Sequence, residues 1–294
     1  MSNTLIAVDN SGSYRLYLTI TTEMVREAQL IHGCSPLAAA GLGRAITAAG
    51  MMGLMLKAET DRLTIQFKGD GPAGEILACS NAKGEVKGYI SDPSVDLPLK
   101  SNGKLDVGGS LGQGALTVIK DLGLKEPYVG QIPLVSGEIA EDLTQYFAVS
   151  EQQPSSVALG VMVDEYARVC AAGGMIVQVL PNASEECLKA LEDTLFFMNS
   201  MTVNVMDSMN VDDMMLRIFG DMPEEFRPRI LEHRDISWRC DCSRERMERA
   251  LISIGKKDLA QIIEGDGKAE LNCNFCRSKY NFTKEDLTEL LRQA

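Results

Sequence analysis

A chain of 294 residues is long enough to bury a sizeable core in one large domain or two ordinary ones. Its 45% apolar and 24% charged residues are ordinary globular usage, which excludes wholesale disorder and fibrous repeats. A net charge of -12 repels polyanions, and only two histidines, His32 and His233, leave little for a Ser-His-Asp triad or a histidine-rich metal centre.

The residues from Met1 to Ile6 show no basic segment leading into a long apolar one, so a cytoplasmic protein is expected. Residues 14–20 (YRLYLTI) alternate as a strand, an amphipathic helix is expected over 22–31, and Pro36 starts a second helix reaching about Lys57. Residues 37–56 are apolar enough to mimic a membrane span, but they contain Arg44 and much Ala and Gly, which fits a buried helix instead; no membrane partner is expected. Short alternating runs at 63–67, 75–79 and 85–90, separated by Gly-rich turns, predict hairpins of an antiparallel sheet. Ile139, Leu143 and Phe147 predict a helix over 138–149, and strands are expected at 157–163 and 175–180.

Gly69, Gly71 and Gly74 satisfy the spacing of a dinucleotide fingerprint, but the next residues read as a strand where that fingerprint needs a helix, so a hairpin turn is expected. The glycines between 108 and 114 lack the Gly-Lys-Ser/Thr ending of a phosphate loop.

Residues 181–235 hold 12 acids and 5 bases, a net -7, and seven of the 15 methionines. They read as a soft, acidic helical linker. Methionine adapts to irregular apolar partners, and an acidic frame keeps such a surface soluble. Met206, Met209 and Met215 are the candidate contacts for such partners.

Residues 236–294 contain Cys240-Asp241-Cys242 and, thirty residues on, Cys273-Asn274-Phe275-Cys276. Two close pairs can supply four thiolates to one tetrahedral zinc per chain, a closed structural site with no position for catalytic water. Ser243 is placed to cap a helix through about Leu251, a second is expected over 256–263, and Tyr280 and Phe282 form a short strand before a Thr283-led helix with Asp286 in a capping box. So small a module needs the metal as a staple. Arg239, Arg244, Arg246, Arg277 and Lys279 surround the sulfurs and are candidates to hold them as thiolates.

The Cys-x-Cys and Cys-x-x-Cys pairs resemble the zinc centre of the redox-regulated 33 kDa heat-shock chaperones. The stretches Gly103-Lys-Leu-Asp-Val107, Val118-Ile-Lys-Asp-Leu-Gly123, Val135-Ser-Gly-Glu138, Gln153-Pro-Ser-Ser156 and Ala171-Ala-Gly-Gly174 are similar to that family's amino-terminal domain, so the resemblance spans essentially the whole chain. It implies an ATP-independent holdase and not an enzyme. The family's chaperone is inactive while reduced and zinc-bound, and becomes active when oxidants form disulfides, release zinc and unfold the linker. It implies Cys240, Cys242, Cys273 and Cys276 as zinc ligands and redox-active cysteines, pairing 240 with 242 and 273 with 276, unfolding proteins as partners, and a homodimer as the active form. Cys34, Cys79, Cys170 and Cys187 match no family motif and read as buried thiols.

The expected architecture is α+β. A mixed amino-terminal domain over 1–180, with an antiparallel sheet and long helices, serves dimerisation and clients; a metastable helical linker spans 181–235, and a zinc-binding switch domain spans 236–294. The rival readings are a thiol oxidoreductase using Cys273 and Cys276 and a structural zinc-dependent binding module. The oxidoreductase motif normally begins a helix and stands alone, and nucleic-acid binding is disfavoured by charge.

Overall fold

The first two strands divide their side chains between two cores. In β1 (Thr4–Asp9) and β2 (Tyr14–Ile20), Leu5, Ala7, Tyr14, Leu16 and Leu18 enter one core while Ile6 and Tyr17 enter the other. The period-2 geometry of a strand produces this split, and it requires both faces of the sheet to be covered. The computed structural model describes residues 2–293; Met1 and Ala294, at the ends of the first and last expected segments, lie outside them.

Helices α1 (Thr22–His32) and α2 (Pro36–Gly53) follow. Ser35 caps α2, its hydroxyl accepting from Ala38 N at 3.1 Å, and Pro36 suits the first helical position. Every residue of α2 except Pro36 and Arg44 is buried. The helix ends at Gly53, short of the expected Lys57, because Leu56 N turns back to Gly53 O and the chain leaves in tight turns. No helix among the described residues is long and apolar enough to cross a membrane.

The next strands, β3 (Arg62–Gly69), β4 (Glu75–Asn81) and β5 (Glu85–Ile90), pair antiparallel as hairpins. The Gly69–Gly74 stretch is the turn between the first two. A Cβ at Gly69 would stand 1.9 Å from Leu111 O, so close backbone approach explains the glycine there, not a nucleotide. A short helix α3 (Val107–Leu111) leads to β6 (Gly114–Asp121) and β7 (Tyr128–Pro133).

Helix α4 (Ala140–Val149) begins after Ile139, whose φ is 72°. Asp142, fully buried, accepts from the amides of Val135, Ser136, Gly137 and Ile139 and fixes that entry. The strands β8 (Ser155–Val163) and β9 (Val169–Val179) close the first 180 residues.

Residues 181–235 are a packed layer. Helices α5 (Glu185–Phe197), α6 (Met201–Asp207) and α7 (Val211–Phe219) bury Cys187, Leu191, Met201, Val205, Met214 and Phe219 against the second face of the β1-β2-β9 sheet. The segment then supplies β10 (Pro228–Arg234), which pairs antiparallel with β1, and the residues just beyond it form β11 (Ser237–Trp238), which pairs parallel with β5. The strand orders are therefore β10-β1-β2-β9-β8 and β11-β5-β4-β3-β6-β7, with α2 in the core they share.

This first compact unit ends at Trp238, and a second runs from Arg239 onward. The second comprises α8 (Arg244–Ser253), α9 (Lys256–Gly265), β12 (Ala269–Asn272), β13 (Lys279–Phe282) and α10 (Lys284–Gln293). Ser243 caps α8, and Thr283 and Asp286 exchange hydrogen bonds as a capping box for α10. Its core cluster has only five buried residues, Leu251, Leu259, Phe282, Leu287 and Leu290.

Candidate metal centre

Cys240 and Cys242 lie in the irregular stretch before α8, where a one-residue spacer lets two thiols face one side of an extended chain. Cys273 and Cys276 occupy the turn between β12 and β13. Cys273 N donates to Ser278 O at 2.9 Å, Arg277 N donates to Cys273 O at 2.9 Å, and Arg277 takes a φ of 61° to complete the turn. That turn lifts the two sulfurs out of the hairpin toward the first pair.

All four Sγ atoms lie within 4.8 Å of one another. Cys240 and Cys273 are 3.7 Å apart, and Cys242 and Cys276 are 3.2 Å apart. A tetrahedron of thiolates at a Zn–S distance of ~2.3 Å has sulfurs ~3.8 Å apart, so the cluster has the size of a four-sulfur metal site. The donor set could hold a metal ion without any other side chain.

Two residues that sequence reasoning missed touch the sulfurs. Tyr280 Oη donates to Cys242 Sγ at 3.1 Å, and Ser278 Oγ lies 3.2 Å from Cys276 Sγ. Hairpin register puts them there, and nothing in their sequence spacing announces it. Burial pushes the Cys276 thiol up, but the Ser278 hydroxyl and amide together with the neighbouring sulfurs outweigh it and bring the thiol down to about 6. Burial, reinforced by adjacent thiols, pushes Cys240 up, and burial also raises Cys242 against the opposing Tyr280 hydrogen bond. The Cys242 thiolate in turn pushes the Tyr280 hydroxyl up to about 12.

Three of the five basic residues named from the sequence, Arg244, Arg246 and Lys279, are engaged by carboxylates. Arg244 pairs with Asp286 at 2.9 Å and Glu248 at 3.3 Å and lies over the Phe282 ring at 4.4 Å. Arg246 pairs with Asp241, and Lys279 pairs with Glu270 at 3.2 Å. These three brace the module through carboxylates, while hydrogen bonds from Ser278 and Tyr280 act in favour of the thiolate forms of Cys276 and Cys242 respectively.

Cys273 and Cys276 sit in a strand-to-strand turn and share their shell with a second pair, unlike a thiol oxidoreductase motif that opens a helix. Of the expected client contacts, Met206 and Met209 are exposed at 58% and 88%, whereas Met215 is half-buried against the helical layer. Phe196 and Phe197, more than 80% and about 80% exposed, add a pair of rings in edge-to-face contact that methionine counting overlooked. Among the other cysteines, Cys34 and Cys187 are buried and Cys79 and Cys170 half-buried.

Comparison with known proteins agrees over the whole length. The family model described as Hsp33 protein matches residues 3–283. The 33 kDa chaperonin of Ruminiclostridium cellulolyticum is 50% identical over 282 residues, covering 96% of this chain and 95% of that one. That of Alkaliphilus oremlandii is 49% identical over 292 residues, covering 99% and 96%. The crystal structure of the 33 kDa chaperonin from Thermotoga maritima superposes with a TM-score of 0.89 at 38% identity, covering 100% of this chain and 99% of that one. These are names of chaperones and not of enzymes. On the strength of a family match spanning both units and of relatives aligned end to end, this chain belongs to the Hsp33 family.

Proposed function

We propose that the protein is a redox-regulated, ATP-independent holdase that binds unfolding proteins and prevents their aggregation under oxidative stress. The observation that carries the reading is the convergence of four thiols into one shell in a unit with five buried core residues. Zinc, one per chain, fits the sulfur geometry and the need for a staple; when bound it supplies cross-linking and holds the thiols as thiolates.

Oxidation then becomes an unfolding signal. Two peroxide molecules take four electrons from the four thiolates, each Cys pair closes one S–S bond, the peroxides leave as four hydroxide ions, and the zinc ion is released. The pairings are 240 with 242 and 273 with 276, as the family resemblance implies. Loss of the metal melts the switch domain over 236–294, and the layer over 181–235, rich in methionine and acid, opens in its turn. Its apolar faces, Met206, Met209 and Met215 among them, bind clients by mass action in a cytoplasmic homodimer. Neither a nucleic acid nor a membrane takes part.

The test is light scattering of a thermally aggregating client without ATP, comparing reduced zinc-loaded protein with peroxide-treated protein while zinc release is recorded. Suppression only after oxidation, in step with zinc loss, is expected. Equal failure of both samples would reduce the site to a structural zinc module.

A further inference from the structure

The last five residues of the first unit, 234–238, form a strap that is held by bonds to its main chain, by the side chains of Arg234 and Asp235, and by one apolar plug. Arg234 Nη2 donates to Ala82 O at 2.8 Å, and Ser237 N donates to Gly84 O at 3.0 Å. The side chain of Asn3 mimics a strand, with Nδ2 donating to Ile236 O at 2.7 Å and Oδ1 accepting from Ile236 N at 2.9 Å. Ser237 and Trp238 lie in parallel register with Glu85 and Val86, covering the edge of β5. Trp238 meets His32 edge-on at a ring separation of 6.0 Å.

The plug is Ile236, 1% exposed. It enters a notch that exists because residue 50 is glycine: a Cβ there would stand 2.4 Å from Ile236 Cγ2. Gly84, with φ of 79°, clears the strap on its other side, where a Cβ would stand 2.1 Å from Asp235 O. Beside the strap runs a cleft lined by Met24, Leu30, Ile31 and Trp238, with Leu30 81% exposed.

We infer that the Gly50 notch and the β5 edge form a docking groove for an extended aliphatic segment of an unfolding protein, occupied in the resting chain by residues 234–238 as an internal stand-in. The inference rests on the holdase reading and gives it a defined contact. Main-chain hydrogen bonds are indifferent to sequence, and a single notch shaped for a β-branched aliphatic side chain asks only for a residue that unfolding chains expose freely. The strap competes from within the same chain, where effective concentrations reach the millimolar range, so a client cannot displace it while it is tethered in place. A two-residue ladder is too short to persist by itself. Unfolding of the chain beyond Trp238 gives the strap more conformational freedom to gain on release, and the groove opens.

The test uses the full-length protein and a fluorescein-labelled peptide with the sequence of residues 233–238, followed by fluorescence anisotropy. Peroxide-treated, zinc-depleted protein is expected to bind it at least 10-fold more tightly than reduced, zinc-loaded protein, and an Ile236→Asp change in the peptide is expected to abolish that binding. In the protein, Ile236→Ser is expected to open the groove to the peptide in the reduced state with zinc retained. Asn3→Ala, which removes the strap bonds and one from the Thr4 hydroxyl but leaves every apolar core side chain in place, is expected to do so to a smaller degree and serves should the first variant fail to fold. Equal affinity for both redox forms, or indifference to the aspartate, would overturn the groove. Client scattering measured in parallel separates the two readings: peptide binding without client holding supports the groove and refutes the holdase, and holding that excess peptide does not inhibit refutes the groove.

Discussion

Stripping the metal while keeping every thiol reduced should unfold the second unit and leave the sheets and α2 within residues 1–180 of the first folded. The second unit has 56 residues, and stability of ~0.05–0.15 kcal/mol per residue gives a domain of that size about 3–8 kcal/mol. Zinc bound to comparable small Cys-rich sites contributes about 10–16 kcal/mol. The metal term thus exceeds the whole stability expected of the folded module, and five buried side chains do not make up the difference. The first unit has two large core clusters that do not include the sulfurs. The assay is hydrogen exchange read by mass spectrometry, with a strong zinc chelator and a phosphine reductant at neutral pH, so that disulfides cannot form. Peptides covering α8, α9 and α10 should exchange fully within seconds, while those covering β2, β9 and α2 keep their protection. Persistent protection of α8 and α10 in protein shown to be zinc-free would refute the reasoning, because the small apolar core would then suffice without a staple.

Tyr280→Phe removes the hydroxyl that donates to Cys242. A hydrogen bond to a charged acceptor is worth about 1.5–3 kcal/mol, so zinc affinity measured by chelator competition should fall by roughly 10- to 100-fold. Glu138, bridged to Lys100 and Arg44, is pushed up by burial and pulled down more strongly by those two cations, so its carboxyl is held below its usual 4.5. A depressed folded pKa stabilises above the unfolded value and is lost as pH falls through the folded one. Glu138→Gln should therefore cost about 1.5–3 kcal/mol in urea unfolding at pH 7, and the gap from wild type should close below pH 4.5. Met206→Glu with Met209→Glu should leave the urea midpoint unchanged, since both are exposed, yet weaken client holding by oxidised protein in light scattering. Met215→Glu should in addition lower the stability of the helical layer by about 1–3 kcal/mol, because that side chain packs on its core.

What was legible in the sequence is what local chemistry determines. The alternation of YRLYLTI gives β2 with its observed bounds, Pro36 opens its helix, Ser243 caps the helix it precedes, and Thr283 with Asp286 closes the last cap. The cysteine spacing brought four sulfurs together on paper as in space. What escaped depends on distant partners. β10 reads PRILEHR, a charged run that looks like linker, because an exposed edge strand carries charge on both faces. Arg244 seemed available to the sulfurs until folding delivered Asp286, 42 residues later. The 171–174 Ala-Ala-Gly-Gly run hid the first half of β9, where small residues let Thr19 O and the side chains of Val205 and Met51 approach.

The placement of residues 181–238 turns a stability difference into a change of surface. This segment supplies one edge strand to each sheet, β10 against β1 and β11 against β5, and covers the second face of the sheet containing β1 and β2. A sheet edge stripped of its neighbour presents unpaired N–H and C=O groups that bond any extended chain, and a sheet face stripped of its helices presents aliphatic rows. Removing one contiguous segment would therefore create both kinds of surface at once. The same segment can cover them again without synthesis or nucleotide, since it remains covalently attached at Leu180. Its position in the chain, at the end of the first unit and directly before the unit that carries the four close thiols, would couple that change of surface to thiol chemistry through connectivity alone.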